Sequence, residues 1–374
     1  MQTRREFLSS AAAAAALSQK SNAAPEEAAG EWRNKQPGMA YRKLGRTGFY
    51  VSEIVMGGNT IAPDNYKHVL AALDRGLNYL DTAPGYEGGK SEEGYAQVLK
   101  ERPRDQFFLN TKISIWDTNR AQIYRSIFDG LPGAEQDRLR SKTQDEIDES
   151  KVARPDYFVG YFEAQRQELE DATLANVMEK EFGRQINRAT NYKDIIIKSL
   201  DQSLKRLGTD HVDLMTCPDG ANTPYEVKSY PEIFEAFEIL KKAGKVRHLS
   251  VSAHTDPAGV INAAIGTGMY SACMVAYNVV NAGSVENAIA RASKSDMGVI
   301  AMKVARPVFP GPGGGEPNPA GLKRLEAEVP GPLSVPKRAY LWALKNPNVA
   351  AVISDMVNQK LVDDNLPLAA PKQQ

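Results

Sequence analysis

A chain of 374 residues, 42% hydrophobic and 25% charged, has ordinary globular composition with enough apolar material for a large core. Its 46 lysines and arginines equal its 46 aspartates and glutamates, so no net field draws it to nucleic acid or to an anionic membrane. There is no basic stripe, and no nucleic-acid partner is expected.

The first predicted element is an address. Thr3-Arg4-Arg5-Glu6-Phe7-Leu8 precedes a small-residue apolar run from Ala11 to Leu17, and Ser21-Asn22-Ala23 offers small residues where a signal peptidase reads. An arginine pair ahead of a mild apolar run is the signature of the twin-arginine export machinery. Residues 1–23 are therefore expected to be cleaved near Ala23, leaving a periplasmic or otherwise exported protein. The run is too short to span a bilayer and no later stretch is long enough, so no stable membrane anchor is expected. Residues 24–38, rich in Ala, Glu and Pro, read as a linker, and 39–374 as one domain.

That domain opens with two short segments around Gly45-Arg46-Thr47-Gly48, a hairpin-like turn. Eight short apolar runs follow, at 53–57, 77–81, 107–112, 212–217, 246–252, 272–277, 298–303 and 349–354. Helix-period segments separate most of them, at 64–75, 91–101, 193–207, 230–243, 256–265, 285–295 and 335–345. Ser91, with Glu92 and Glu93 behind it, and Asp256, ahead of Pro257, read as helix caps. Strand alternating with helix implies parallel pairing through right-handed crossovers, and eight such units suit a closed (β/α)8 TIM barrel. A doubly wound open sheet would carry a glycine-rich turn after its first strand, and Gly57-Gly58-Asn59 lacks the G-x-G-x-x-G pattern.

Two insertions break the rhythm. Residues 116–190, charged and mostly helix-like, follow the third strand; they must emerge at the rim where barrel sites lie, and they read as a lid. Residues 307–319, with Gly311-Pro312-Gly313-Gly314-Gly315, read as a flexible tether. The two cysteines, Cys217 and Cys273, fall at opposite ends of predicted parallel strands, so no disulfide is expected between them, and the spacing of Cys and His suggests no metal site.

Three polar residues stand at predicted strand ends. Asp81 ends the second strand, Tyr86 lies five residues on and Lys112 ends the third. Adjacent strands bring these groups to one rim, where an ammonium beside a phenol is expected to lower the phenol's pKa while a carboxylate fixes the ammonium. Such a tyrosine can give or take a proton near neutrality.

These residues sit in a longer pattern. Tyr41-Arg42-Lys43-Leu44-Gly45-Arg46-Thr47-Gly48, Val51-Ser52-Glu53-Ile54, Asp81-Thr82-Ala83-Pro84-Gly85-Tyr86, Gly88-Gly89-Lys90-Ser91-Glu92-Glu93 and Asn110-Thr111-Lys112 resemble the opening of the aldo-keto reductase family. The run from Leu204 to Leu214, Gly244-Lys245-Val246-Arg247 and Gly298-Val299-Ile300-Ala301-Met302-Lys303 continue the match. The resemblance implies a barrel that binds NADPH or NADH across its rim and passes hydride to a carbonyl carbon. It makes Tyr86 the acid, Lys112 its pKa modulator and Asp81 the group orienting Lys112. It also implies cofactor contacts from Ser252, Tyr277, Lys303, Asp364 and Asn365.

The chain departs from the family at three places. The histidine expected after strand 4 is absent from Met215-Thr216-Cys217-Pro218-Asp219, which leaves Asp219 or His254 to orient the substrate. The Ser-Asn pair that grips the nicotinamide stands here as Ser252-Ala253, and the glutamine three residues before Tyr277 is Met274. Where NADP-using relatives place Lys and Arg on the 2′-phosphate, Asp355 and Leu361 stand; NAD is favoured over NADP on that ground. Three readings stay open. The first is an oxidoreductase acting on a small carbonyl or alcohol such as a sugar, its NAD(P) loaded before folded export and held tightly. The second is a carbohydrate lyase or isomerase using the same three residues, and the third a non-catalytic binding protein.

Overall fold

The computed structural model describes residues 30–311 and 315–371. The arginine pair, the cleavage point near Ala23 and Pro312-Gly313-Gly314 of the tether lie outside the described residues.

Runs of Val, Ile, Leu, Met and Ala too short for helices become strands buried on both faces, as parallel strands sheathed by helices are. Three strands, β1 (Glu31–Trp32), β2 (Tyr41–Lys43) and β3 (Phe49–Ser52), form a small sheet in the order β1-β3-β2. The next eight, β4 (Ile54–Met56), β5 (Tyr79–Asp81), β6 (Phe108–Lys112), β7 (Val212–Thr216), β8 (Val246–Ala253), β9 (Ala272–Ala276), β10 (Gly298–Met302) and β11 (Ala351–Ser354), close into a parallel barrel in which β9 pairs with β10 and β11 with β4. Each falls on one of the eight expected runs.

Helices α1 (Lys67–Asp74) and α2 (Lys90–Glu101) follow β4 and β5. After β6 come α3 (Ser114–Asp129), α4 (Gly133–Ser150), α5 (Gln165–Phe182) and α6 (Asp194–Leu207). The outer ring continues with α7 (Pro224–Lys228), α8 (Pro231–Lys242), α9 (Pro257–Thr267) and α10 (Ala282–Lys294), then α11 (Pro319–Glu328), α12 (Val335–Leu344) and α13 (Gln359–Asn365). Asp256 caps α9, its carboxylate accepting from Gly259 N at 2.9 Å. Ser91 does not cap: it lies inside the first turn of α2, where its buried hydroxyl donates to Gly58 O at 2.7 Å.

The hairpin plugs the N-terminal mouth. Phe49 stacks on Phe108 with ring centroids 4.1 Å apart, and Leu44, Phe49 and Val51 pack against the barrel interior. Beneath it, buried Asp213 of β7 is held by Arg104 (2.7 Å), Arg247 (2.9 Å) and Arg33 (3.1 Å), and accepts from Leu109 N (2.9 Å). Arg33 lies in the segment expected to be a linker. That expectation is corrected from Glu31 onward: the compact body begins there, because β1 pairs in parallel with β3 and Arg33 supplies one of the charges that neutralise Asp213.

The insertion after β6 folds over the C-terminal ends of β7, β8 and β9. Arg120 of α3 donates to Asn176 of α5 (2.7 Å) and to Tyr230 (3.2 Å) and pairs with Glu226 (3.1 Å). Tyr157 donates to Asp256 (2.5 Å), and Tyr161 accepts from Asn278 (2.8 Å). This buried network ties the segment to the loops after β7, β8 and β9, so that it stands as one wall of the mouth. Among the described residues no helix is long and apolar enough to cross a membrane.

Candidate active site

Strand register brings the site together. Asp81 of β5 pairs with Asn110 of β6, and Lys112 of β6 with Thr216 of β7. Lys112 Nζ donates to Asp81 Oδ2 at 2.6 Å, to Tyr86 OH at 2.8 Å and to Thr82 O at 3.1 Å. Asn110 Nδ2 donates to the other Asp81 oxygen at 2.7 Å, and Thr216 Oγ1 donates to Asn110 Oδ1 at 3.0 Å. Every one of these groups except Tyr86 is buried. The turn carrying Tyr86 is tight: Glu87, Gly88 and Gly89 all adopt positive φ, at 49°, 63° and 95°. Gly58 is required by close approach, since a Cβ there would stand 2.2 Å from Asp81 O.

The expected downward shift of the phenol is not found. Burial raises the Tyr86 pKa, the Lys112 ammonium pulls it down, and the carboxylates of Asp81 and Asp219 push it up again, leaving it above the ordinary tyrosine value. Burial works against the Lys112 ammonium, but Asp81 and then Tyr86 hold it above the ordinary lysine value. At neutral pH the site therefore holds a protonated phenol on a cationic lysine, which is a proton donor.

Tyr86 opens into a cavity of about 470 Å3 whose wall is built by α3, α5 and the segment after β7. Both candidates for the missing histidine line it. Asp219 accepts from Ser114 Oγ (2.7 Å) and Ser252 Oγ (3.0 Å). His254 is held neutral, with burial and then Lys303 and Lys112 lowering its pKa to about 3, and its Nδ1 has no hydrogen-bond partner among the described residues.

The five cofactor positions are scattered. Ser252 Oγ is committed to Asp219 and to Gly220 N (2.7 Å). Lys303 follows β10 directly, in the left-handed region (φ 56°), and burial holds its pKa below the ordinary lysine value despite the opposing pull of Asp355. Tyr277 points the other way, outward between helices, donating to Glu286 (2.9 Å) and packing on Trp342 (4.9 Å); the structure does not bring it to the cavity. Asp364 lies on the surface, paired with Lys337 (2.8 Å) and Lys360 (2.5 Å), which lower its pKa to about 2. Asn365 is buried and donates to Ser354 Oγ (3.1 Å). Asp355 folds over Gly57, where a Cβ would meet its carboxylate at 2.1 Å.

Sequence reasoning missed Asn110, Ser114, Arg120 and Glu168. Asn110 stood inside a quoted motif without a role, and its register beside Asp81 was the available signal. The others reach the cavity only because α3 and α5 fold back over it.

Comparison with known proteins follows the geometry. The chain is 32% identical over 225 residues to the aldo-keto reductase YhdN of Bacillus subtilis, covering 57% of this chain and 47% of that protein. It is 36% identical over 148 residues to the 6-dehydroglucose reductase of Novosphingobium aromaticivorans, covering 36% and 47%. The chain thus spans about half the length of these curated relatives. Among solved structures, the holo form of the aldo-keto reductase AKR11C1 of Bacillus halodurans superposes with a TM-score of 0.59 at 21% identity, covering 90% of this chain and 92% of that one. An aldo-keto reductase of Klebsiella pneumoniae in complex with NADPH gives 0.54 at 17% identity, covering 88% and 89%; at such identities these two speak to the fold. The model of the aldo/keto reductase family matches residues 53–306, and the chain belongs to that family.

Proposed function

We propose that this protein is an exported oxidoreductase interconverting a carbonyl and an alcohol with a nicotinamide dinucleotide. The observation carrying this reading is the Tyr86 hydroxyl, 2.8 Å from the Lys112 ammonium, at the edge of a polar cavity. A bound dinucleotide supplies the hydride. Tyr86 gives its proton to the carbonyl oxygen as negative charge develops there, and Lys112 stabilises the phenolate left behind. Asp81 and Asn110 hold Lys112 in place; Asp219 and His254 face the substrate.

The residues fit a dinucleotide at two of three points. The triad fits the reacting end, and Lys303 with Arg306 near it suits its pyrophosphate. The third point, the carboxamide grip, has no free donor: Ser252 is committed, and Ala253 and Met274 supply none. This third observation favours a second reading, proton abstraction by a carbohydrate lyase or isomerase on the same triad.

Three finer points belong to the proposal. NAD is preferred to NADP, supported by a carboxylate and an alkyl chain at Asp355 and Leu361. A polyhydroxylated substrate is supported by the hydroxyl, amide and carboxyl groups of the cavity and by likeness to the Novosphingobium protein. Twin-arginine export, with cleavage near Ala23, is supported by Arg4-Arg5 and the apolar run behind them.

The test is to titrate the purified exported protein with NADH and NADPH and follow nicotinamide oxidation with carbonyl sugars. Tyr86→Phe should lower kcat by about 100-fold or more while leaving nucleotide affinity unchanged. Failure of both nucleotides to bind, with turnover that still requires Tyr86, would establish the second reading instead.

A further inference from the structure

Asp219 is an acceptor set beside a donor. It stands three residues past β7 and lines the cavity into which Tyr86 opens. Ser114 Oγ donates to its Oδ2 at 2.7 Å and Ser252 Oγ to its Oδ1 at 3.0 Å, and among the described residues no cation pairs with it. Ser252 Oγ in turn accepts from Gly220 N at 2.7 Å, which anchors that hydroxyl. Ser114 also reaches the turn that carries Tyr86: a Cβ on Gly85 would lie 3.6 Å from its Oγ. One small side chain therefore joins the acid to the turn that presents the phenol.

A carboxylate accepts hydrogen bonds and does not donate them. Its two oxygens offer about four lone-pair positions. The serines fill two, and Asp219 is only partly buried, so the rest are left for what fills the cavity. A carbonyl oxygen has no hydrogen to offer there and turns to the Tyr86 hydroxyl instead. An alkyl group laid on the acid would strip its water and return nothing. An ammonium would donate, but on a rim that already holds the Lys112 ammonium 2.8 Å from the phenol. A hydroxyl donates and adds no charge.

We propose that the substrate carries a hydroxyl on the carbon next to its carbonyl, and that Asp219 accepts from this hydroxyl while Tyr86 donates to the carbonyl oxygen. Reduction of such a substrate puts hydride on the carbonyl carbon and the Tyr86 proton on its oxygen, giving a vicinal diol; the hydroxyl on Asp219 is unchanged. The inference rests on the oxidoreductase reading of the Tyr86 cavity and narrows its substrate. It makes Asp219 a specificity-determining residue and Ser114 and Ser252 the positioning residues behind it.

Three small ketones test it. Hydroxyacetone has the donor; methoxyacetone keeps the electron-withdrawing oxygen without the donor, and butan-2-one keeps the size without the oxygen. With the full chain and NADH, kcat/KM should favour hydroxyacetone over both by about tenfold or more, the margin of one hydrogen bond to a charged group. Ligand-observed NMR titration should rank the three in the same order. The preference should fall towards one in Asp219→Ala and survive in part in Asp219→Asn, which keeps an acceptor oxygen in place; a ratio measured within one variant stays readable however far its rate drops. Equal kcat/KM for hydroxyacetone and methoxyacetone, or a preference that persists in Asp219→Ala, overturns the inference and leaves the redox reading in place. So does a preference for aminoacetone over hydroxyacetone, or a loss of NADH affinity in Asp219→Ala with the ketone ranking unchanged. Absence of turnover with either nucleotide removes the redox reading, and the titration then decides alone: tighter hydroxyacetone supports the Asp219 contact, and equal or unmeasurable binding overturns it.

Discussion

Under the proposed function, Tyr86 and Lys112 place opposite demands on the two directions of reaction. Burial, Asp81 and Asp219 hold the phenol above the ordinary tyrosine value despite the ammonium beside it. Carbonyl reduction uses the protonated phenol, so its kcat/KM should stay flat through neutrality and fall only above about pH 10, the ordinary phenol value. Alcohol oxidation uses the deprotonated form and should rise with pH over the same range. Profiles in both directions check this, and a reduction limb already falling between about pH 7 and 8 contradicts it. Lys112→Met should cost more than rate. It leaves the Asp81 carboxylate enclosed without its cation, a loss of about 3–5 kcal/mol in urea unfolding, and it lowers kcat by about 100-fold or more. The triad was legible in the sequence because neighbouring strands in chain order are neighbours in a barrel, so Asp81, Tyr86 and Lys112 had to meet. The direction of the Tyr86 shift was not. It depends on how deep the phenol sits and on Asp219 arriving from β7, and spacing records neither. Glu168 was illegible for a related reason: only the return of α5 over the rim brings it to the cavity.

At the scale of elements, the eight barrel strands were readable because burial on both faces leaves an unbroken apolar run bounded by turns. The strand that was missed, β1, is two residues long, has no periodicity and sits in an Ala-, Glu- and Pro-rich background. What fixes it is tertiary. Trp32 stacks on Tyr50 with centroids 4.0 Å apart, and Arg33 reaches Asp213. A chain beginning at Gly30 should therefore unfold at the same urea concentration as the full chain, whereas one beginning at Met39 should lose about 3–5 kcal/mol through the broken buried pair. Equal midpoints would restore the linker reading. The same network sets an acid limit. Burial pushes the Asp213 carboxyl up, but Arg104 and Arg33 outweigh it and hold it below its ordinary value. A depressed folded pKa gives stability that is fully present above the unfolded value, about 3.9, and is lost as pH falls through the folded one. Asp213→Asn should thus unfold more easily at pH 7 and show a flatter decline on acidification, measured as urea midpoint against pH.

For the whole molecule, the insertion divides the mouth in two. One side, over β7 to β9, is walled by α3 and α5 and carries the acidic cavity; the other, at β10, β11 and β4, carries Lys303, Arg306 and Asp355. Lys303 is the group under strain there: a non-glycine residue at φ 56°, its ammonium desolvated, with no hydrogen bond among the described residues and only Asp355 to offset it. Strain and an unmatched charge at one position cost stability, and proteins keep such positions where a ligand needs them. Lys303→Met should accordingly move two quantities in opposite directions. The ligand-free protein should gain about 1 kcal/mol as a buried unpaired charge is replaced by a thioether chain of similar length. The affinity for NADH should fall about 10- to 100-fold with the loss of a charge-assisted bond to phosphate. Thermal unfolding with and without nucleotide reads both at once, because bound ligand adds stability as the logarithm of its saturation. A variant that loses ligand-free stability and keeps its nucleotide response would assign Lys303 to holding the barrel closed and move the phosphate site elsewhere on the rim.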